Sequence, residues 1–190
     1  MDIKKTIEGS IRVKQTLIQD DKIISTIQQV AQVCIESLQQ GGRILFCGNG
    51  GSAADAQHLA AELSGRFYYD RDPLDAEALH VNTSYLTAVA NDYSFDEVYA
   101  RQVKAKGKKR DILIGLSTSG NSENILKAFK TAREKEMATI AMTGKTGGKL
   151  KNLSDYLINV PSIDTPRIQE SHILIGHIIC EMIETYIFPK

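Results

Sequence analysis

Tryptophan is absent from this 190-residue chain, and aromatic residues make up only 6% of it. A surface that works by stacking bases or polysaccharide on aromatic platforms is therefore not expected. Charge of one sign is lacking too: 23 Lys and Arg balance 23 Asp and Glu. That balance removes the bulk electrostatic case for a nucleic-acid or membrane-surface partner and leaves only local patches. The three cysteines, Cys34, Cys47 and Cys180, are odd in number, widely spaced and without a CxxC pair. They argue against a disulfide framework and for reduced thiols in a reducing compartment. No apolar run approaches the ~18 residues needed to span a bilayer. The opening stretch, MDIKKTIEGSIRVKQTL, is charged and amphipathic and lacks the apolar h-region of a signal peptide. A cytoplasmic protein is expected.

What is present is ordinary globular material, 42% hydrophobic and 24% charged, at a length that suits one domain with a sizeable core. The first forty residues read as helix, with Ile24, Ile27, Val30, Val33 and Cys34 at three- and four-residue steps. This stripe is expected to pack on the domain or at an oligomer interface. Gly41-Gly42 ends the pattern. Short apolar runs then alternate with helical stretches. The runs are 43–47, 79–81, 111–116, 138–142 and 156–160, and helices are expected near 53–63, 84–90, 95–106, 122–135 and 166–187. Continuous Ile-, Leu- and Val-rich runs suit strands buried on both faces. The alternation predicts an α/β fold: a doubly wound, five-stranded parallel sheet flanked by helices, Rossmann-like, with ligands at the carboxyl ends of the strands.

Two strand ends carry unusual loops. After Cys47 comes Gly48-Asn49-Gly50-Gly51-Ser52, leading straight into a helical stretch. Three glycines in four residues permit an open backbone whose amides can face a ligand at a helix start. The spacing is neither a dinucleotide fingerprint nor a Walker loop, and an ordinary turn would also use these residues. After Leu116 comes Ser117-Thr118-Ser119-Gly120-Asn121-Ser122. Four hydroxyls between a buried strand and a helix N-terminus make a neutral anion cradle suited to phosphate. The simpler alternative is that Ser119 or Ser122 only caps the helix.

Further polar residues stand on helical stretches. His58 and Glu62 lie four apart and share a helix face. Gln169, Glu170, His172 and His177 interrupt the largely apolar ESHILIGHIICEMIE region, where a buried core histidine is the ordinary explanation for His177. Gln169 and His177 are separated by about 12 Å along an ideal helix. For both to serve one ion, the helix must break near Gln169 or the two must come from different subunits. Two ligands reaching one ion from a single unbroken helix would overturn that argument.

Together, GNGGSAADAQHLAAELSGRF, AVANDYSFDEVYARQV, GLSTSGNSENIL and RIQESHILIGHIICEMIE resemble the motifs of the sugar isomerase (SIS) domain. More narrowly they resemble the bacterial sedoheptulose 7-phosphate isomerase, or phosphoheptose isomerase, family. The resemblance covers nearly the whole chain and implies a single domain over residues 1–190. It implies conversion of a phosphorylated seven-carbon sugar, sedoheptulose 7-phosphate, to D-glycero-D-manno-heptose 7-phosphate, the entry to activated heptoses for surface polysaccharide. It also implies a homotetramer with sites at subunit interfaces and one Zn²⁺ per subunit on His58, Glu62, Gln169 and His177. Asn49, Gly50, Gly51, Asn91, Asp92, Ser117, Thr118, Ser119 and Ser122 correspond to its substrate contacts, joined by Glu62, Gln169 and Arg66. The expected catalytic roles are Glu62 as base and His177 as acid or proton relay. Another sugar-phosphate isomerase of the same domain class is one alternative. Another is a non-catalytic relative, the DNA-replication initiator-associating protein, which shares the tetrameric fold and works by protein contact. A sugar-phosphate-sensing regulator would need a DNA-binding domain for which the N-terminal region is too short.

Overall fold

The computed structural model describes residues 2–190. Two helices open it. Helix α1 (Ile3–Ile18) is capped by Asp2, whose carboxylate accepts from the Lys5 amide. Helix α2 (Asp21–Gln39) is capped by Asp20, which accepts from the amides of Lys22 and Ile23 at 3.1 Å each. These side chains occupy amides that a helix start leaves unpaired.

Five parallel strands follow: β1 (Ile44–Gly48), β2 (Ala76–Ala78), β3 (Ile112–Ser117), β4 (Ala138–Thr143) and β5 (Tyr156–Asn159), in the order β2-β1-β3-β4-β5. The expected doubly wound parallel sheet is what forms. Its alternation is visible in the core. Ile44, Phe46, Ile112, Ile114, Leu116, Ile140 and Met142 face a cluster built with α2, α3 (Gly51–Ser64) and α7 (Thr165–Ile187). Leu45, Cys47, Leu113 and Ala141 face the opposite cluster, built with α4 (Thr83–Asp92), α5 (Val98–Lys106) and α6 (Glu123–Glu134). Burial on both faces is why these strands read as continuous apolar runs.

One expectation shifts. The second strand lies at Ala76–Ala78, three residues before the predicted 79–81. As an edge strand it pairs only with β1, so it needs no Ile-rich run, and the buried Leu79 merely extends the ladder by donating to the Phe46 carbonyl. Of the α2 stripe, Ile27, Val30 and Cys34 are buried in the domain, Val33 is half-buried and Ile24 is exposed. Further exposed apolar side chains stand on α1, at Ile3, Ile7, Ile11 and Ile18, and on α7, at Leu174, Ile178 and Tyr186.

Strand order reverses direction between β1 and β3, which pair along Ile44↔Ile112 through Gly48↔Leu116. The glycine loop and the serine loop therefore leave the sheet side by side at its topological switch point, where open α/β sheets bind ligands.

Candidate active site

The two loops are tied into one unit. Asn49 and Asn124 exchange side-chain amide hydrogen bonds at 2.9 Å in both directions, joining the glycine loop to the first turn of α6. The Tyr99 hydroxyl donates to the Gly48 carbonyl from beneath. Gly50, at φ +56°, precedes α3, and no side chain caps that helix. The amides of Ser52 and Ala53 bond to the Asn49 and Gly50 carbonyls at 3.0 Å each, which leaves those of Gly50 and Gly51 for a ligand at the switch point.

In the serine loop, Ser117 is buried and shares a 3.2 Å hydrogen bond with the Ser122 hydroxyl. Ser122 stands at the N-cap position of α6, yet its side chain makes no cap bond. Ser119 Oγ accepts from the Asn121 amide at 3.1 Å. Gly120 reverses the chain at φ +66°, and a Cβ there would strike the Gly147 carbonyl. The loop is held from behind by Gly144 N–H donating to the Thr118 carbonyl and Leu150 N–H donating to that of Gly120, both at 3.0 Å. Helix capping alone therefore does not account for these hydroxyls.

Helices α3 and α7 run side by side in the same direction: Gly51 meets Gln169, Leu59 meets Gly176, and His58 meets His177. His58 Nε2 lies 3.0 Å from Glu62 Oε1 and 3.1 Å from His177 Nε2. One donor atom from each of the three falls within 4.8 Å of the others. Two ligands on one tetrahedral zinc at about 2.1 Å stand roughly 3.4 Å apart, so the spacing and the His/Glu/His chemistry fit that ion with one position left for another ligand. The ring of Phe67 packs 5.6 Å from that of His177.

Gln169 does not join this trio within the chain. Its amide lies against Gly51, with Nε2 2.6 Å from where a Cβ would stand. His58 is seven residues, or about 10 Å, farther along α3. Helix α7 is unbroken from Thr165 to Ile187, so the helix-break alternative falls. Arg66 is exposed just beyond α3. Asn91 and Asp92, exposed in the last turn of α4, bond to each other at 2.9 Å. Among the described residues neither Arg66 nor this pair hydrogen-bonds either loop. His177, read as an ordinary core histidine on its own, is half-exposed and faces His58. The core histidine is His172, which is fully buried with Nε2 3.2 Å from the Thr143 carbonyl. Burial drives His172 down to about 4, only partly opposed by that carbonyl.

The SIS domain model matches residues 12–144. The phosphoheptose isomerase of Aneurinibacillus thermoaerophilus is 52% identical over 186 residues, spanning 98% of this chain and 94% of that protein. The chain belongs to the phosphoheptose isomerase family. Solved structures agree. Phosphoheptose isomerase from Neisseria gonorrhoeae superposes with a TM-score of 0.90 at 45% identity, covering 96% of this chain and 97% of that one. The enzyme from Francisella tularensis gives 0.92 at 40%, covering 96% of each.

Within this phosphoheptose isomerase fold, several residues near the site carry no local sequence signal. Asn124 and Tyr99 act across the sheet, and only tertiary packing brings them to the loops. Asp55, one turn before His58, has a buried Oδ2 without a partner. Burial pushes its carboxyl up, while positive charge on His58 and His177 would pull it down. A carboxylate at i−3 on the face that carries a His–Glu pair was legible as a neighbour of that pair, but its burial was not.

Proposed function

We propose that this protein is an aldose–ketose isomerase that interconverts sedoheptulose 7-phosphate and D-glycero-D-manno-heptose 7-phosphate. The observation that carries the reading is the convergence of His58, Glu62 and His177 on helices that start beside a hydroxyl-lined loop at the sheet's switch point. The serine loop and the N-terminus of α6 hold the phosphate of the open-chain ketose, aided by the amides of Gly50 and Gly51 and by Arg66, while Asn91 and Asp92 contact the rest of the sugar. Fixing that end positions the reacting carbons near the trio. Glu62 takes a proton from C1 and returns it at C2. His177 passes the accompanying hydroxyl proton between O1 and O2, so the enediol between ketose and aldose forms and collapses without net proton loss. A zinc ion held by His58, Glu62 and His177 would polarise the sugar carbonyl as a Lewis acid.

The chain works as a homo-oligomer in this reading, a tetramer by family resemblance, in the cytoplasm. The exposed isoleucines of α1 and the distance of Gln169 from the trio support it: a neighbouring subunit's Gln169 would supply the fourth ligand. The test is incubation of purified protein with sedoheptulose 7-phosphate, with and without chelator, followed by NMR. Aldoheptose formation that stops on chelation is expected. No turnover by folded, assembled protein would overturn the reading in favour of a binding protein.

A further inference from the structure

One buried ion pair lies outside the site just described and contacts no surface that a substrate could reach. Arg71 Nε stands 3.1 Å from Glu184 Oε1, and both side chains are at most 2% exposed. A guanidinium has five N–H groups in a fixed fork. Here Nη2 donates to the Glu62 carbonyl at 2.9 Å, and Nη1 donates to the carbonyls of Leu63, Gly65 and Asp72 at 2.8 to 3.0 Å. The carbonyls of Glu62 and Leu63 belong to the last turn of α3, which leaves its acceptors unpaired and carries negative partial charge. Glu184 is as fully used: its two oxygens accept from the amides of Phe67 and Tyr68 at 2.9 and 2.8 Å. Burial pushes its carboxyl up, but the Tyr68 and Phe67 amides and Arg71 more than offset this and leave it below the ordinary carboxylate range.

We propose that Arg71 and Glu184 are positioning residues for the isomerase reaction: they lock the end of α3 and the Phe67 turn onto α7, and so hold Glu62 and His177 in register for proton transfer. The inference rests on the function proposed above. The geometry links both partners of that transfer. Arg71 grips the backbone of Glu62 itself. Glu184 follows His177 by seven residues, two helical turns along the same face of α7, and holds the backbone of Phe67, whose ring packs on His177. A lysine at 71 could not span four carbonyls and a carboxylate. The serine loop lies at the far end of α3 and is untouched by this clamp, whereas Arg66 sits inside the clamped turn, so loosening it slows the chemical step and weakens the Arg66 contact with the substrate.

The test compares assembled wild-type protein with Phe67→Ala, Phe67→Tyr and Glu184→Gln. The readouts are kcat and KM, zinc affinity by chelator competition, the His177 Cε1–H resonance in histidine-labelled protein, and thermal melting. Phe67→Ala and Glu184→Gln are expected to lower kcat by about tenfold or more, with a smaller rise in KM through Arg66. Both should shift the His177 resonance and weaken zinc retention, and Phe67→Tyr should restore all three. The proposal is overturned by folded Phe67→Ala with wild-type kcat and an unmoved His177 resonance. It is equally overturned if Glu184→Gln lowers the melting temperature alone. Should Glu184→Gln fail to fold, the Phe67 variants decide. If wild-type protein turns over no sugar phosphate, the function reading fails, and the His177 resonance with zinc retention still judges the clamp.

Discussion

Ser122 stands where a helix cap belongs but turns its hydroxyl toward Ser117, and that choice separates phosphate binding from simple capping. Ser122→Ala should change thermal stability by about 1 kcal/mol or less, the net worth of one hydrogen bond. It should raise KM by about tenfold, because a charge-assisted bond to phosphate is lost, with kcat little changed. Inorganic phosphate should raise the melting temperature of wild-type protein more than that of the variant, and equal protection would return the loop to a capping role. His172 makes a different prediction. Its ring is held near 4 in the fold against about 6.5 when unfolded. Between those values the unfolded chain binds a proton that the folded chain refuses, so stability is full above about 6.5 and falls as pH drops toward 4. His172→Gln keeps a donor for the Thr143 carbonyl but cannot titrate. Relative to wild type it should gain about 3 kcal/mol between pH 7 and pH 4 in denaturant melts. A pH-independent difference would remove His172 from acid lability.

At the level of elements, the two loops act as one because Asn49 and Asn124 bridge them and Gly120 lets the serine loop lie against Gly147. Gly120→Ala adds a Cβ at a left-handed φ and into a carbonyl. It should destabilise the fold by about 2 kcal/mol or more and raise KM, while zinc binding at the trio is unaffected; retained KM would show that the loop can shift without harm. Much of this architecture was legible. Four of five strands sit within a residue or two of their apolar runs, because strands buried on both faces leave little else to encode. The fifth was misplaced because an edge strand of three residues with a glutamate at its centre carries no such run. The hydroxyl loop and the His58/Glu62 face could be read from spacing. The approach of His177, 119 residues away, came from resemblance to a family, and the Asn49–Asn124 and Arg71–Glu184 pairs came from neither. Such contacts are made by folding, and no local pattern announces a partner that far along the chain.

At the scale of the whole molecule, the balanced charge leaves assembly to shape and apolar contact, and the isoleucines of α1 offer the surface for it. Helix α7 then has an unusual position. It runs without a break from Thr165 to Ile187, with Gln169 at one end and His177 two turns beyond. If each end serves a different site, one helix lends ligands to two catalytic centres. Gln169→Ala and His177→Ala should each be inactive as pure proteins. Unfolded together and reassembled, they would place an intact Gln169 from one chain beside an intact His177 from the other in about a quarter of the sites. Two dead proteins would then complement each other, and isomerase activity measured on the mixture, against each variant refolded alone, would reveal it. A mixture as inactive as its parts would mean that every centre is furnished by a single chain.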